Sequence, residues 1–222
     1  MKTKTKTIKK TMPSKEVLIN FVLDESGSME TCRDATISGF NEYIESLKKI
    51  KEKVLFSLVK FDSTKIESVH ILEDIKKIVP LTRDTYIPGQ LTPLYDAIAK
   101  TIKEVEAKTA KKKNQKTLIT VMTDGQENDS KEYTREKIFN LIKEKEKAGW
   151  TFIYLGANQD AWEVGQSIGL HKGNVMAYSV AQTKETFNNI ASRTVAYAID
   201  NTNQTFDFFK PTGGKVNGTN HN

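Results

Sequence analysis

The sequence predicts an α/β fold, a mostly parallel six-stranded sheet with helices on both faces and one antiparallel edge strand. Three observations predict it. Short runs of β-branched and large apolar residues alternate with segments whose apolar residues recur every three or four positions. Several runs, such as Val17-Leu18-Ile19-Asn20-Phe21-Val22-Leu23, are apolar almost throughout, as expected of strands buried on both faces. One pair of runs is separated only by Asp62-Ser63-Thr64-Lys65, a hairpin-sized polar turn.

In chain order, Val17–Leu23 is the first strand, and a polar turn leads to a helix with Ile37, Phe40, Ile44 and Leu47 on one face. Val54–Phe61 and Ile66–Leu72 are the second and third strands. An irregular stretch from about Asp74 to Leu91 follows. Thr92-Pro93 then reads as a helix start, with a hydroxyl N-cap and proline in the first helical position. Leu94, Ile98, Ile102 and Val105 are the buried stripe of that helix, which ends at the basic connection Lys111–Lys113. Lys116–Thr123 is the fourth strand. A helix near Tyr133–Ala148 is closed by Gly149, and Thr151–Leu155 is the fifth strand. Gln159–Ile168 is a helix closed by Gly169, Val175–Val180 the sixth strand, and Lys184–Ile199 the last helix.

A chain of 222 residues that is 37% hydrophobic suits one water-soluble domain with an ample core. That domain is expected over residues 15–200, between a disordered basic tail (1–14) and an Asn/Gly/Thr-rich tail (201–222) in which Phe206, Phe208 and Phe209 are candidates for docking onto the body. No apolar run approaches the length needed to cross a bilayer, and the start has charge without the apolar stretch of a secretory signal, so no membrane role is expected. Cys32 is the single cysteine, which fits a reducing compartment, and the cytoplasm is the default. The net charge is +6, and Lys2, Lys4, Lys6, Lys9 and Lys10 carry most of it. Nucleic-acid binding is therefore expected only through this tail, which reads first as a solvated terminus.

Three pieces carry chemistry, all at or just beyond the C-terminal ends of strands: Asp24-Glu25-Ser26-Gly27-Ser28, Thr92, and Thr123-Asp124-Gly125. Ligands of open α/β sheets bind at those ends, where strand order reverses. Two carboxylates and three hydroxyls are hard oxygen donors, suited to Mg²⁺, Mn²⁺ or Ca²⁺ and unsuited to zinc or copper. Each piece alone has a plainer reading. Ser26 or Ser28 caps a helix, Thr92-Pro93 starts one, and Asp124-Gly125 makes a turn. Glu25, Asp34, Glu127 and Asp129 read as solvated rim residues, which would repel an acidic ligand if they ringed the site.

Together, in this order and at strand ends, the pieces resemble the metal-ion-dependent adhesion site of von Willebrand factor A domains. The resemblance covers roughly residues 15 to 200. It implies a doubly wound, Rossmann-like sheet with the first and fourth strands side by side. It further implies that Ser26, Ser28 and Thr92 coordinate the metal directly, Thr92 in one of two arrangements, and that Asp24 and Asp124 hold it directly or through water. The implied function is a protein-binding module whose Mg²⁺ (Mn²⁺ or Ca²⁺ being alternatives) captures an acidic residue of a partner. Leu155-Gly156-Ala157-Asn158 and Asp160-Ala161 look like intracellular bacterial and phage members.

A metal-dependent hydrolase or phosphoryl-transfer enzyme is the alternative, since two aspartates and Mg²⁺ can activate water or orient phosphate. Against it, His70, His171 and His221 all lie away from the expected site loops, Cys32 has no evident base, and no arginine clamp or phosphate-binding glycine loop is recognisable.

Overall fold

The computed structural model describes residues 15–110, 112, 114–157, 161–200 and 204–210; the expected tail at 1–14 and the segment 211–222 lie outside them. The strands are β1 (Glu16–Asp24), β2 (Val54–Phe61), β3 (Ile66–Asp74), β4 (Gln115–Thr123), β5 (Thr151–Ala157) and β6 (Val175–Tyr178). The helices are α1 (Arg33–Leu47), α2 (Leu94–Thr109), α3 (Arg135–Lys147), α4 (Ala161–Ser167) and α5 (Thr183–Ile199). The sheet order is β3-β2-β1-β4-β5-β6, parallel throughout except for the β2–β3 hairpin at one edge. Among the described residues no helix is long and apolar enough to cross a membrane.

The apolar strand runs are buried on both faces because helices cover both. From β1, Val17, Ile19, Phe21 and Leu23 join the cluster under α1 and α5, while Val22 joins that under α2, α3 and α4. Phe21 is the hub of the first cluster, its ring 5.5–6.0 Å from those of Phe40, Tyr43 and Phe187. β1 and β4 are neighbours in parallel register from Glu16↔Gln115 to Leu23↔Met122, so Asp24 and Thr123 end side by side. That junction is where the two halves of the sheet wind in opposite directions, and it opens the cleft of a doubly wound sheet.

Two helix ends follow the glycine rule. Gly149 and Gly169 close α3 and α4 at φ values of 89° and 94°, which only glycine adopts without strain. Other boundaries shift. β6 stops at Tyr178, and a 3₁₀ turn at Val180–Gln182 leads into α5. α4 spans only Ala161–Ser167, and the expected positions Gln159 and Asp160 lie outside the described residues. Residues 204–210 pack onto the body. Asn174, buried, donates to Thr205 O (2.8 Å) and accepts from Phe208 N (2.9 Å), which seats Phe208 against Tyr197.

The α1–α5 crossing has no slack. A Cβ on Gly39 would stand 2.4 Å from the Phe187 ring, itself fully buried. Gly39→Ala should therefore cost about 1–3 kcal/mol through overpacking, despite alanine's higher helix propensity. Urea unfolding of the single variant, and of Gly39→Ala combined with Phe187→Leu to relieve the clash, checks this.

Candidate metal centre

Asp24 ends β1, and Ser26 and Ser28 follow it into a 3₁₀ turn, Gly27–Cys32, that precedes α1. Asp124 immediately follows β4, and Thr92 enters α2 from the long segment after β3. All five meet at the carboxyl end of the sheet. Ser26 N donates to Asp24 Oδ1 (2.7 Å), Ser26 Oγ lies 3.3 Å from Ser28 Oγ, and Ser28 Oγ donates to Asp124 Oδ1 (2.5 Å). Thr123 Oγ1 donates to Asp24 Oδ2 at 2.5 Å, fixing that carboxylate from the β4 side.

The plainer readings of the motif residues fail one by one. Ser26 stands at the N-cap of the 3₁₀ turn, where its carbonyl accepts from Met29 N (3.1 Å) but its side chain makes no cap hydrogen bond. Thr92 is not the N-cap of α2 and Pro93 is not its first residue: the helix starts at Leu94, Pro93 occupies the cap position, and no side chain of that residue can cap. The helix is capped from a distance instead, by Glu127 Oε2 and Ser130 Oγ, which accept from Tyr95 N at 2.9 and 3.1 Å. Thr92 is meanwhile gripped by its backbone: its N–H donates to Asn128 Oδ1 (2.7 Å), and its carbonyl accepts from Asn128 N (3.2 Å). The hydroxyls of Ser26 and Ser28, which local sequence would assign to capping, are thus directed at one another and at Asp124. Gly125 has no positive φ, so the turn does not demand glycine; space does. A Cβ there would stand 2.9 Å from Thr92 Oγ1 and 3.6 Å from both Asp24 Oδ2 and Ser28 Oγ. Three of the five donors therefore surround the point that a larger residue would fill.

The electrostatics of the two adjacent acids differ sharply. Glu25 is not a solvated rim residue: it is fully buried and ion-paired with buried Lys60 (3.0 Å), and it also accepts from Ile87 N (2.7 Å). Asp24 is equally buried, yet no cation stands among the groups acting on it. Burial drives its carboxyl up to about 6, against the hydrogen bonds from Thr123 and Ser26, and the charge of Asp124 pushes it further the same way. Burial also raises Asp124, opposed by the Ser28 hydroxyl.

The other nearby acids are occupied. Glu127 is a structural acceptor for Tyr95, Asp129 and Ser130 rather than a rim charge. Asp34 pairs with Arg83, and Asp129 with Lys131 at 2.6 Å. Arg33 Nε donates to Tyr86 O (3.0 Å), and Arg83 is held by Asp34. Cys32 is buried, with its thiol pushed up by burial, as befits an inert packing group. His70 lies on β3 beside Glu73, and His171 packs on Phe206, both outside the five-donor cluster. Among the described residues no three His, Cys, Asp or Glu side chains converge; the cluster at Asp24 and Asp124 is completed by hydroxyls.

Sequence reasoning did not find Tyr86, Asn128 or the Glu25–Lys60 pair. Tyr86, buried in the irregular stretch, donates its hydroxyl to Asp24 O (2.7 Å). A large aromatic amid the polar residues of that stretch was the available signal.

Comparison with known proteins agrees with this architecture. Residues 19–193 match the family model of the von Willebrand factor type A domain, and the chain belongs to that family of protein-interaction modules. Its fold resembles the vWF domain of the type V pili tip protein Mfa5 from Porphyromonas gingivalis (TM-score 0.63, 12% identity, 87% of this chain and 99% of that one). It also resembles the pilus adhesin SpaC from Lactobacillus rhamnosus GG in an open conformation (0.63, 16%, 84% and 31%). A third similar structure is manganese-loaded TRAP from Plasmodium vivax (0.54, 14%, 77% and 71%). Against several such structures the chain spans less than half of the other molecule. No curated protein matches it in sequence.

The raised Asp24 pKa has a definite sign. In metal-free protein the folded chain keeps this proton up to about 6, whereas an unfolded aspartate releases it near ~3.9. Stability is therefore greatest below the lower value and falls as pH rises through that window, by up to about 3 kcal/mol. Asp24→Asn should remove most of this slope, leaving the variant the more stable protein at pH 7 in EDTA. Denaturant titrations between pH 4 and 8 measure it.

Proposed function

We propose that this chain is a divalent-cation-dependent protein-binding module, with Asp24, Ser26, Ser28, Thr92 and Asp124 as its metal residues. One observation carries the reading: a buried carboxylate, Asp24, and a half-buried one, Asp124, converge with three hydroxyls around the space before Gly125, and no cation is among the groups acting on Asp24. The donors are all oxygen, and two negative charges neutralise one Mg²⁺, with Mn²⁺ or Ca²⁺ as alternatives. When bound, the cation supplies a Lewis-acidic position for an outside oxygen, and a carboxylate of a partner protein is the ligand we assign to it. The manganese of the similarly folded Plasmodium vivax protein supports the same choice.

The chain's own residues do the rest. Thr123 and Ser26 N hold the Asp24 carboxylate, Ser28 orients Asp124, and the Asn128 clamp presents Thr92. Pairing of Glu25, Asp34 and Asp129 with cations lowers the repulsion that an incoming acid would otherwise meet. The module is proposed to bind rather than catalyse, because a hydrolase needs a base or nucleophile within reach of the metal and the nearest thiol, Cys32, is buried and protonated. Placement among intracellular bacterial and phage members, and so in the cytoplasm, belongs to the same proposal and rests on Leu155-Gly156-Ala157 and the single cysteine. The accompanying positions Asn158 and Asp160 lie outside the described residues.

Thermal melts provide the test. Millimolar Mg²⁺ or Mn²⁺ at a hundredfold excess over its dissociation constant should stabilise the wild type by about 2.7 kcal/mol, roughly 5–10 °C in Tm. Asp124→Ala should lose that gain, and Gly125→Ala should lose it while leaving the melt in EDTA close to wild type. The gain should also shrink as pH falls through about 6, where protons compete for Asp24. A wild type indifferent to both ions sinks the metal mechanism.

A further inference from the structure

Among the described residues six large apolar side chains are exposed, and three of them, Val79, Ile87 and Leu91, lie on the segment joining β3 to α2. This segment has no regular structure beyond a 3₁₀ turn at Ile75–Lys77, yet it is firmly built. Ile75, Ile78, Leu81 and Tyr86 are buried anchors. Leu81 exchanges two hydrogen bonds with the Asn41 side chain (2.7 and 2.9 Å). Ile87 N donates to Glu25 Oε1, and Leu91 N donates to Ser63 Oγ at 3.2 Å. The exposed side chains are therefore displayed on a held backbone, and long loops of this kind in compact domains are commonly functional.

The display adjoins the candidate site. Gly89 N donates to Glu25 O (2.8 Å), and Gln90 O accepts from Gly27 N (3.0 Å), so the stretch between Ile87 and Leu91 is laced to the loop bearing Ser26 and Ser28. Leu91 directly precedes Thr92. Behind Ile87 and Val79 a groove of about 290 Å³ runs toward the β3 edge, with Leu58, Val69 and Leu81 in its lining. Its charged residues include the mutually paired Lys60 and Glu25, and Lys65 and Glu67 (3.1 Å). Other parts of the rim are polar, carrying the Asp129–Lys131 and Glu30–Arg33 pairs. One side of the site thus displays Val79, Ile87 and Leu91 beside a groove whose lysines and glutamates are paired and whose lining also carries Asp84 and His70.

We propose that this ledge and groove receive apolar side chains from the same partner segment that offers its carboxylate to the metal. The recognised sequence is then an extended acidic motif, one Asp or Glu with bulky apolar residues a few positions away on one side. The inference rests on the metal-dependent capture proposed above. It supplies what a single ion-centred contact lacks: apolar anchors that exclude water around a polar bond, as at the energetic centres of protein interfaces.

The experiment is selection from a displayed random peptide library with glutamate fixed at the centre, on the full chain in millimolar Mg²⁺ and in EDTA. Wild type is expected to enrich Leu, Ile, Val or Phe on one side of the glutamate in Mg²⁺ alone. A synthetic peptide of the enriched sequence should bind Ile87→Ser and Leu91→Ser each about tenfold more weakly. Both variants should keep the wild-type Mg²⁺ shift in melting, which separates the ledge from the metal site. Enrichment in Mg²⁺ without an apolar flank, or peptide affinity indifferent to both serine variants, overturns this inference and leaves the capture reading standing. Absence of any Mg²⁺-dependent enrichment, with the melting shift intact, overturns the acidic-partner reading and the ledge with it.

Discussion

The site is organised around a buried carboxylate that the protein does not neutralise. Asp24 and Glu25 are consecutive and equally inaccessible, yet the chain treats them in opposite ways. Glu25 receives Lys60, a backbone amide and a fixed place beneath the surface. Asp24 receives only hydrogen bonds, and the charged group that acts on it is a second carboxylate, Asp124. Burying an ion without its counter-ion is costly, and structural sites avoid it by pairing. A chain that pairs one residue and leaves its neighbour uncompensated has kept a deficit of positive charge at one point.

Alternation along β1 explains how neighbours come to such different ends. Successive residues of a strand point to opposite faces of the sheet, and β2 and β4 flank β1 on its two edges, so groups from both neighbours come within reach of the residues at its end. Asp24 is thereby set against Thr123, and Glu25 against Lys60 and Ile87. The cleft between β1 and β4 exists because the connections leaving those strands run to opposite sides of the sheet. Three separate loops then converge on it and bond to one another: Gly89 to Glu25, Gln90 to Gly27, Asn128 to Thr92. Tyr86 ties the middle of this lattice to the Asp24 carbonyl from below. Much of the holding falls to backbone bonds of the neighbouring residues, while Asp24 Oδ1, which accepts from Ser26 N, also helps to set the first loop.

That division of labour also sets what could be read from sequence. The strand runs and helical stripes were legible because they depend on local periodicity, as the six-stranded order confirms. The motif residues were legible as a pattern, but the reason each side chain is available was not. Thr92-Pro93 has the composition of a helix start, and only the arrival of Glu127 and Ser130 from thirty-odd residues away releases Thr92 from capping. Glu25 reads as solvated until the β2 register brings Lys60 over it. Gly125 reads as a turn residue, whereas its backbone conformation is ordinary and its missing side chain is the point. In each case the deciding partner is distant in sequence and carries no local signature.

An uncompensated carboxylate has a consequence for the molecule as a whole. A proton at Asp24 is held better by the folded chain than by the unfolded one and so stabilises it, and a cation bound as proposed would stabilise it by the same linkage. Under that proposal proton and cation compete for the same oxygens, and occupancy by one is felt as loss of the other. The frame can carry this strain because the adjacent core is dense: Phe21, two residues before Leu23 on the same strand, is locked among Phe40, Tyr43 and Phe187. A core packed to this density holds β1 stiffly. The same stiffness that makes the empty charge expensive makes its donors preorganised, and a preorganised set of oxygens gains more from a cation than a flexible one would.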